Sequence, residues 1–327
     1  MLVLYITIGV LVGLIFILYV LAMLVHRSTF GKRWEPDGIV TYYSPIDCPN
    51  IREENVEIST KKGILRGKLY FYSNEKYRGI LIFSHGMWGS HKAYFQEIEY
   101  LARNGYMVLG IDAYGTELSD GKSIRGLGNS LLTLDKAVNY IKKNYPKEKI
   151  YVMGHSWGGF AAANIAKYHQ DLTAIVAMSP FLSVAKILKH QLPRILYPTI
   201  PFLVLIDAVH CGKYSFANAK KTLKNTHVNT LILHSKDDPM VPYSAATGHL
   251  QMTISNPKVQ YDIVDGKKHN PDYTVEALAY TQDSYAKLKT ITTAADKLEF
   301  KKNLDYHKMG ELDEKVFEDI LDFLKLQ

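Results

Sequence analysis

The chain has 327 residues, 47% of them hydrophobic and 22% charged, an ordinary globular balance that suits one large α/β domain or two small ones and can bury a core without covalent staples. Its net charge of +7 comes from lysines and arginines scattered along the chain, with no basic stripe carrying interleaved aromatics, so nucleic-acid binding is not expected. Cys48 and Cys211 stand far apart with no Cys-x-x-Cys or Cys/His spacing, which argues against both a zinc site and a disulfide framework.

The first 25 residues, MLVLYITIGVLVGLIFILYVLAMLV, carry no ionisable side chain except tyrosine. At about 1.5 Å per residue, a helix of this length crosses a hydrocarbon core of about 30 Å. A cleaved signal peptide fits poorly, because the apolar run is too long, has no basic residue before it and has no small-x-small cleavage site after it. The stretch therefore predicts a single-pass membrane anchor over residues 1–25. Arg27, Lys32 and Arg33 follow the span, so the positive-inside rule predicts that the body of the protein is cytoplasmic. Residues 26–54, punctuated by Gly31, Pro36, Gly38, Pro45 and Pro49, are expected to be a linker.

From Asn55 the pattern becomes regular. NVEIST and ILRGKLYFY alternate apolar and polar residues, as half-buried antiparallel strands do. GILIFSHG is a continuous apolar run, the pattern of a strand buried on both faces of a parallel sheet. A helical stretch, HKAYFQEIEYLARNG, ends at a capping glycine, and YMVLGID returns to strand. SLLTLDKAVNYIKKNY, AAANIAKYH and ELDEKVFEDILDFLKL read as helices; KIYVMG, TAIVAM, NTLILHS and VQYDIVDG read as strands. Strand–helix alternation implies parallel βαβ units, with the early antiparallel pair at one edge. Two long segments interrupt it, 181–228 and 271–306; insertions of this length in a compact domain are expected to carry a role such as a lid.

KIYVMGHSWGGFAAANIAKYH holds the chemistry. Gly154 and Gly158 lack the Cβ atoms that would clash in a sharp strand-to-helix turn, and that turn pushes Ser156 above the sheet. A serine hydroxyl is a poor nucleophile without a base and an orienting carboxylate. In this strand–turn–helix architecture the acid follows the serine and the histidine comes last. NTLILHSKDDPMVP offers Asp238, favoured by register, with Asp237 as its rival. VQYDIVDGKKHNP places His269 just beyond the last strand, as the base. The oxyanion donors expected are the backbone N–H groups of Trp157, beside the nucleophile, and of Met87, in the loop after GILIFSHG. His155 and His234 read as packed or hydrogen-bonded, and His210, His249 and His307 as surface. His85, His155, His234 and His269 share one sheet edge but form no His-x-x-x-His pair, so no metal site is expected.

The motifs SHGMWGS, DAYGTELSDG, GHSWGG, DPMVP and GKKHN resemble those of the α/β-hydrolases over residues 55–327, in the branch of monoacylglycerol lipases, feruloyl esterases and serine aminopeptidases. The resemblance implies a mostly parallel eight-stranded sheet with helices on both faces and a helical cap insertion at about 181–228, with a second insertion at about 271–306. It makes Asp112 and Gly115 structural, and a serine at the elbow argues against the dehalogenase and epoxide-hydrolase branches. Ser235 stands where such enzymes usually carry glycine.

The expected function is a membrane-anchored serine hydrolase cleaving carboxylic esters, lipid-like or other acyl esters, through an acyl-enzyme, with water as co-reactant and no cofactor. The cap sequence LPRILYPTIPFLVLIDAV is apolar but broken by prolines, Arg194 and Asp207, so it is expected to be a lid and not a second span. Its bland role is packing on the sheet; its sharper one is an apolar acyl pocket. A peptidase of the aminopeptidase kind would want an acidic cluster in the cap, whereas residues 181–228 are basic. A thioesterase would use the same triad, and a non-catalytic scaffold would not need all three positions filled.

Overall fold

The computed structural model describes residues 1–38, 42–72 and 77–327; residues 39–41 of the expected linker lie outside them. Eight strands form one sheet in the order β1-β2-β4-β3-β5-β6-β7-β8. They are β1 (Ile51–Thr60), β2 (Gly63–Tyr72), β3 (Ile80–Ser84), β4 (Met107–Ile111), β5 (Ile150–His155), β6 (Ala174–Met178), β7 (Asn229–Ser235) and β8 (Val259–Val264). β1 and β2 pair antiparallel, β2 joins β4 antiparallel, and every later pairing is parallel.

The continuous apolar runs serve two cores at once. Along β3, Ile80 and Ile82 enter one core while Leu81 and Phe83 enter the other; β5 divides Ile150 and Val152 from Tyr151 and Met153 in the same way. Successive side chains on a strand point to opposite faces, so a strand covered on both sides must be apolar throughout. One face carries helix α2 (Phe95–Arg103) and the C-terminal helix α12 (Glu314–Lys325), which buries Val316, Phe317, Ile320, Leu321 and Leu324 on one stripe. The other carries α3 (Asn129–Asn144) and α4 (Trp157–Ile165).

Helix α1 runs from Leu2 to Phe30, five residues past the apolar stretch, so residues 26–30 are not linker. The reason is packing: Ala22, His26 and Phe30, four residues apart on one face, are buried. At its other end the expected linker also stops early, because Ile51–Glu54 already pair with Tyr72–Leu69. Their alternation is hidden because this stretch of edge strand is almost all solvent-facing, with ion pairs such as Lys68–Glu53 across it.

Between β6 and β7 the cap comprises α5 (Val184–Gln191), a 3-10 segment Arg194–Thr199, α6 (Ile200–Cys211), a 3-10 turn Gly212–Phe216 and α7 (Ala219–Lys224). Arg194–Lys224 as a whole is long and apolar enough to cross a membrane, as α1 is. It is divided among these short elements, however, and α6 turns Leu203, Asp207 and Cys211 inward. The buried Asp207 carboxylate accepts the N–H groups of Leu127 (2.5 Å) and Gly128 (3.2 Å), pinning the cap to the start of α3. α6 lies alongside α1: Tyr19 meets Phe202 with ring centroids 6.4 Å apart, and His26 stacks on His210 at 5.5 Å. Residue numbers rise together in these pairs, so the two helices run parallel.

The second insertion folds as α9 (Val275–Thr290), α10 (Ala294–Lys302) and α11 (Tyr306–Met309), with α8 (Thr247–Thr253) preceding β8. Among the described residues, none of 271–306 lines the cavity around Ser156, which takes its lid side from the cap between β6 and β7. The insertion packs instead on α2, where the Tyr273 hydroxyl donates to Glu97 at 3.2 Å.

Candidate active site

The turn from β5 into α4 holds Ser156 at φ 56° and ψ −107°, a conformation costly for a residue with a side chain. The Ser156 N–H donates to the Met178 carbonyl at 2.9 Å, fixing the turn. The flanking glycines are obligatory for steric reasons: a Cβ on Gly154 would lie 2.4 Å from the Gly158 carbonyl oxygen, and one on Gly158 would lie 1.8 Å from that of Ser84. Gly158→Ala is therefore expected to cost about 3 kcal/mol or more. A lowering of the melting temperature by on the order of 5–10 °C would register it, and an unchanged melt would refute the steric account.

His269 follows β8 in a short loop, with its Nε2 2.9 Å from Ser156 Oγ and its Nδ1 2.8 Å from Asp238 Oδ2. The carboxylate is acceptor-only, so Nδ1 carries the proton and Nε2 is left to accept from the serine hydroxyl. Asp238 is buried and saturated. Its Oδ1 accepts the N–H groups of Met240 (2.8 Å) and Val241 (2.9 Å), and its Oδ2 also accepts from His234 Nε2 at 3.1 Å. Burial alone would push this carboxyl up; the hydrogen bonds from His234 and His269 outweigh it and hold the group well below the usual carboxylate range. The rival Asp237 points elsewhere, to Ser235 Oγ at 2.5 Å and to Lys268. Ser235 needs no glycine conformation, and its hydroxyl also accepts the Lys267 N–H at 3.2 Å, tying the end of β7 to the histidine loop.

Met87 and Trp157 line the same cavity as Ser156 and His269. Trp157 is the first residue of α4, where N–H groups have no partner inside the helix. Its indole is fully buried and donates to the Leu127 carbonyl at 2.7 Å. The loop carrying Met87 is held from below by His85, which donates from Nδ1 to the Gly86 carbonyl (2.7 Å) and accepts the Ala113 N–H at Nε2 (3.1 Å). Asp112 and Gly115 lie beneath it. Asp112 is fully buried and accepts from the His91 N–H and ring, and a Cβ on Gly115 (φ +74°) would strike the Ser123 carbonyl.

Two residues that sequence reasoning did not link join these loops. The Gly86 N–H donates to Tyr94 Oη (3.1 Å), Tyr94 donates to His155 Nδ1 (2.9 Å), and His155 Nε2 donates to the His269 carbonyl (2.8 Å). Burial, then the neighbouring His269, pulls the His155 pKa down to about 3, so its imidazole stays neutral and can serve as both acceptor and donor. No sequence spacing pairs Tyr94 with His155. The carboxyl end of a parallel strand is nevertheless a usual place for site residues; His155 ends β5, and His234 is one residue from the end of β7.

Behind this relay, Glu97 and Asp272 are buried together. Burial pushes both carboxyls up, and the charge of Asp272 raises Glu97 further. Asp272 Oδ2 has no hydrogen-bond partner among the described residues. An unfolded aspartate titrates near 3.9, so the folded state binds more protons above that pH and stability falls as pH rises. Asp272→Asn is therefore expected to melt above the parent at pH 8, by on the order of 1–2 kcal/mol, with the difference closing toward pH 4. Equal melting at both pH values would overturn that reading.

The cavity above Ser156 has a volume of about 390 Å³ and an apolar lining that includes Phe181, Leu188, Leu203 and Val241. A larger, shallower groove of about 1020 Å³ between the β1–β2 turn and α3 contains none of these groups, so the reactive side chains single out the smaller one. No group of three or more His, Cys, Asp or Glu residues able to hold a metal occurs among the described residues.

This sheet order, with a strained serine on the turn after β5 and a histidine after β8, defines an α/β-hydrolase fold. Comparison with known proteins finds relatives of the same fold. The sequence profile of the family "Serine aminopeptidase, S33" matches residues 75–206. The lysophosphatidylserine lipase ABHD12 of Xenopus tropicalis is 25% identical over 223 residues, 66% of this chain and 51% of its own length. The chain thus spans about half the length of the curated relatives it matches. Among solved structures, the Pyrococcus furiosus esterase Pf2001 superposes with a TM-score of 0.57 at 21% identity, covering 79% of this chain and 96% of its own. Est1E of Butyrivibrio proteoclasticus, with ferulic acid bound, gives 0.56 at 20% identity, covering 71% and 97%.

Proposed function

We propose that the protein is a membrane-anchored serine hydrolase that cleaves carboxylic esters of amphiphilic molecules through Ser156, His269 and Asp238. The observation that carries this reading is the unbroken hydrogen-bond chain Ser156–His269–Asp238, opening into an apolar cavity. His269 Nε2 takes the hydroxyl proton as Ser156 Oγ attacks the ester carbonyl, and Asp238 stabilises the imidazolium. The Met87 and Trp157 N–H groups receive the negative charge that develops on the carbonyl oxygen. The tetrahedral intermediate collapses as His269 returns the proton to the departing alcohol. Water, deprotonated by the same histidine, then releases the acid and restores Ser156. The lipase and esterase relatives support an ester or lipid substrate.

A peptidase is less well supported. A substrate amine would want an acidic cap, and Asp207, the one acidic residue in 181–228, is buried and bonded to Leu127 and Gly128.

α1 is the anchor in this reading, with Arg27, Lys32 and Arg33 holding the catalytic body on the cytoplasmic side. A C-terminal reporter active only outside the cytoplasm would refute the orientation. The activity is tested with p-nitrophenyl esters from acetyl to dodecanoyl, using the full chain in detergent micelles beside Ser156→Ala. Turnover by the wild type alone supports the triad; no turnover of any ester sinks the carboxylesterase reading.

A further inference from the structure

The last two turns of α1 do more than connect the anchor to the body. Val25, Thr29 and Phe30 line the cavity that holds Ser156 and His269. With Ala22 and His26 they make a stripe at positions 22, 25, 26, 29 and 30, the spacing of one helix face. That face is turned to the cap, while Met23, Leu24 and the turns before Tyr19 point away into the surroundings. Val25 is also the last residue of the apolar stretch, and Thr29 lies about 6 Å further along the axis. The cavity therefore meets the helix at the level where its apolar part ends. Exposed Trp88, Thr29, Gln191 and Met240 rim it there.

We propose that α1 is itself a wall of the acyl-binding site, and that the substrate is an ester with one long apolar chain that enters sideways from the bilayer along this helix. The proposal rests on the ester-hydrolase reading above. Tyr19 lies six residues inside the apolar stretch and touches Phe202, so the first turn of α6 stands at the same depth. Exposed Ile195 and Leu205 continue the apolar surface outward from that contact. A chain dissolved in the lipid then reaches Leu188 and Leu203 without crossing water, while its ester group stays level with Thr29, close to Ser156. Removing residues 1–30 would take away one side of the site as well as the tether, which is why the full chain is required in every assay.

The test measures kcat/KM for dodecanoyl and butyryl esters in full-length Val25→Trp and Thr29→Trp, with Leu24→Trp, on the outward face, as control. Pocket contacts worth a methylene or more discriminate by about tenfold and upward. The dodecanoyl-to-butyryl ratio is expected to fall by about tenfold or more in both cavity variants and to stay at the parental value in Leu24→Trp. A parental ratio in both cavity variants overturns the proposal. If the wild type hydrolyses no ester, the catalytic reading fails, and a photoreactive dodecanoate offered to full-length Ser156→Ala still decides this one. Label on residues 25–30, displaced by excess dodecanoate and absent from Val25→Trp, upholds it; displaceable label confined to the body overturns it.

Discussion

Ser156→Ala is expected to lower kcat by about a millionfold, leaving only the residual acceleration that oxyanion donors and binding supply without a nucleophile. The size follows from the geometry: among the described residues His269 Nε2 has no oxygen partner but Ser156 Oγ, so without it the base is left with water to activate. The same position separates function from stability. Ser156 pays for its exposure with φ 56° and ψ −107°, and glycine tolerates that region at no steric cost. Ser156→Gly should therefore be as inactive as Ser156→Ala yet melt higher than the parent, by about 1 kcal/mol. Thermal melts beside initial rates check both; a glycine variant less stable than the parent would show that the turn is not strained.

Asp238→Asn is expected to reduce kcat by about ten-thousandfold while the fold persists. The hydrogen bonds around the carboxylate explain why an isostere fails. Oδ1 receives two backbone N–H groups, from Met240 and Val241, so an asparagine must keep its carbonyl oxygen there. Its NH2 then faces His234 and His269 at the position of Oδ2. His269 can meet an NH2 only by turning Nδ1 into an acceptor, which puts the proton on Nε2 and removes the base. His234 cannot make the same adjustment freely, because its Nε2 also donates to the Val241 carbonyl at 2.9 Å. Asp237→Asn is the matched comparison, since it changes only contacts with Ser235 and the lysine loop. A loss in Asp237→Asn equal to that in Asp238→Asn would move the orienting role to the loop as a whole.

How much of this the sequence discloses depends on how local each signal is. The elbow is legible because its demands fall on five consecutive residues: the backbone at Gly154 and Gly158 comes too close to neighbouring carbonyls for any Cβ. The central strands are legible because β3, β5 and β6 serve two cores and so run without charge or amide groups until Ser84 and His155 at the ends of β3 and β5. The Tyr94–His155 relay is not, because its members lie 61 residues apart in different βαβ units and no local spacing links them. The end of the apolar helix α1 misleads for a related reason. His26 and Thr29 look like the start of a polar linker, and only contact with α6, some 180 positions away in the chain, makes that turn a helix with a buried face. Composition locates the long apolar helix; it does not tell which side of it packs against the rest of the protein. The second insertion shows a further limit, since its length alone says nothing of where it packs, and none of 271–306 lines the cavity.

The central claim is that an acyl group passes through Ser156. The most direct measurement is a rapid acid quench of full-length protein turning over a dodecanoyl ester, followed by peptide mass analysis. The account predicts one added dodecanoyl group on the peptide containing Ser156 and none on that peptide in Ser156→Ala. Turnover that persists in Ser156→Ala, or an acyl group found on another residue, would contradict it.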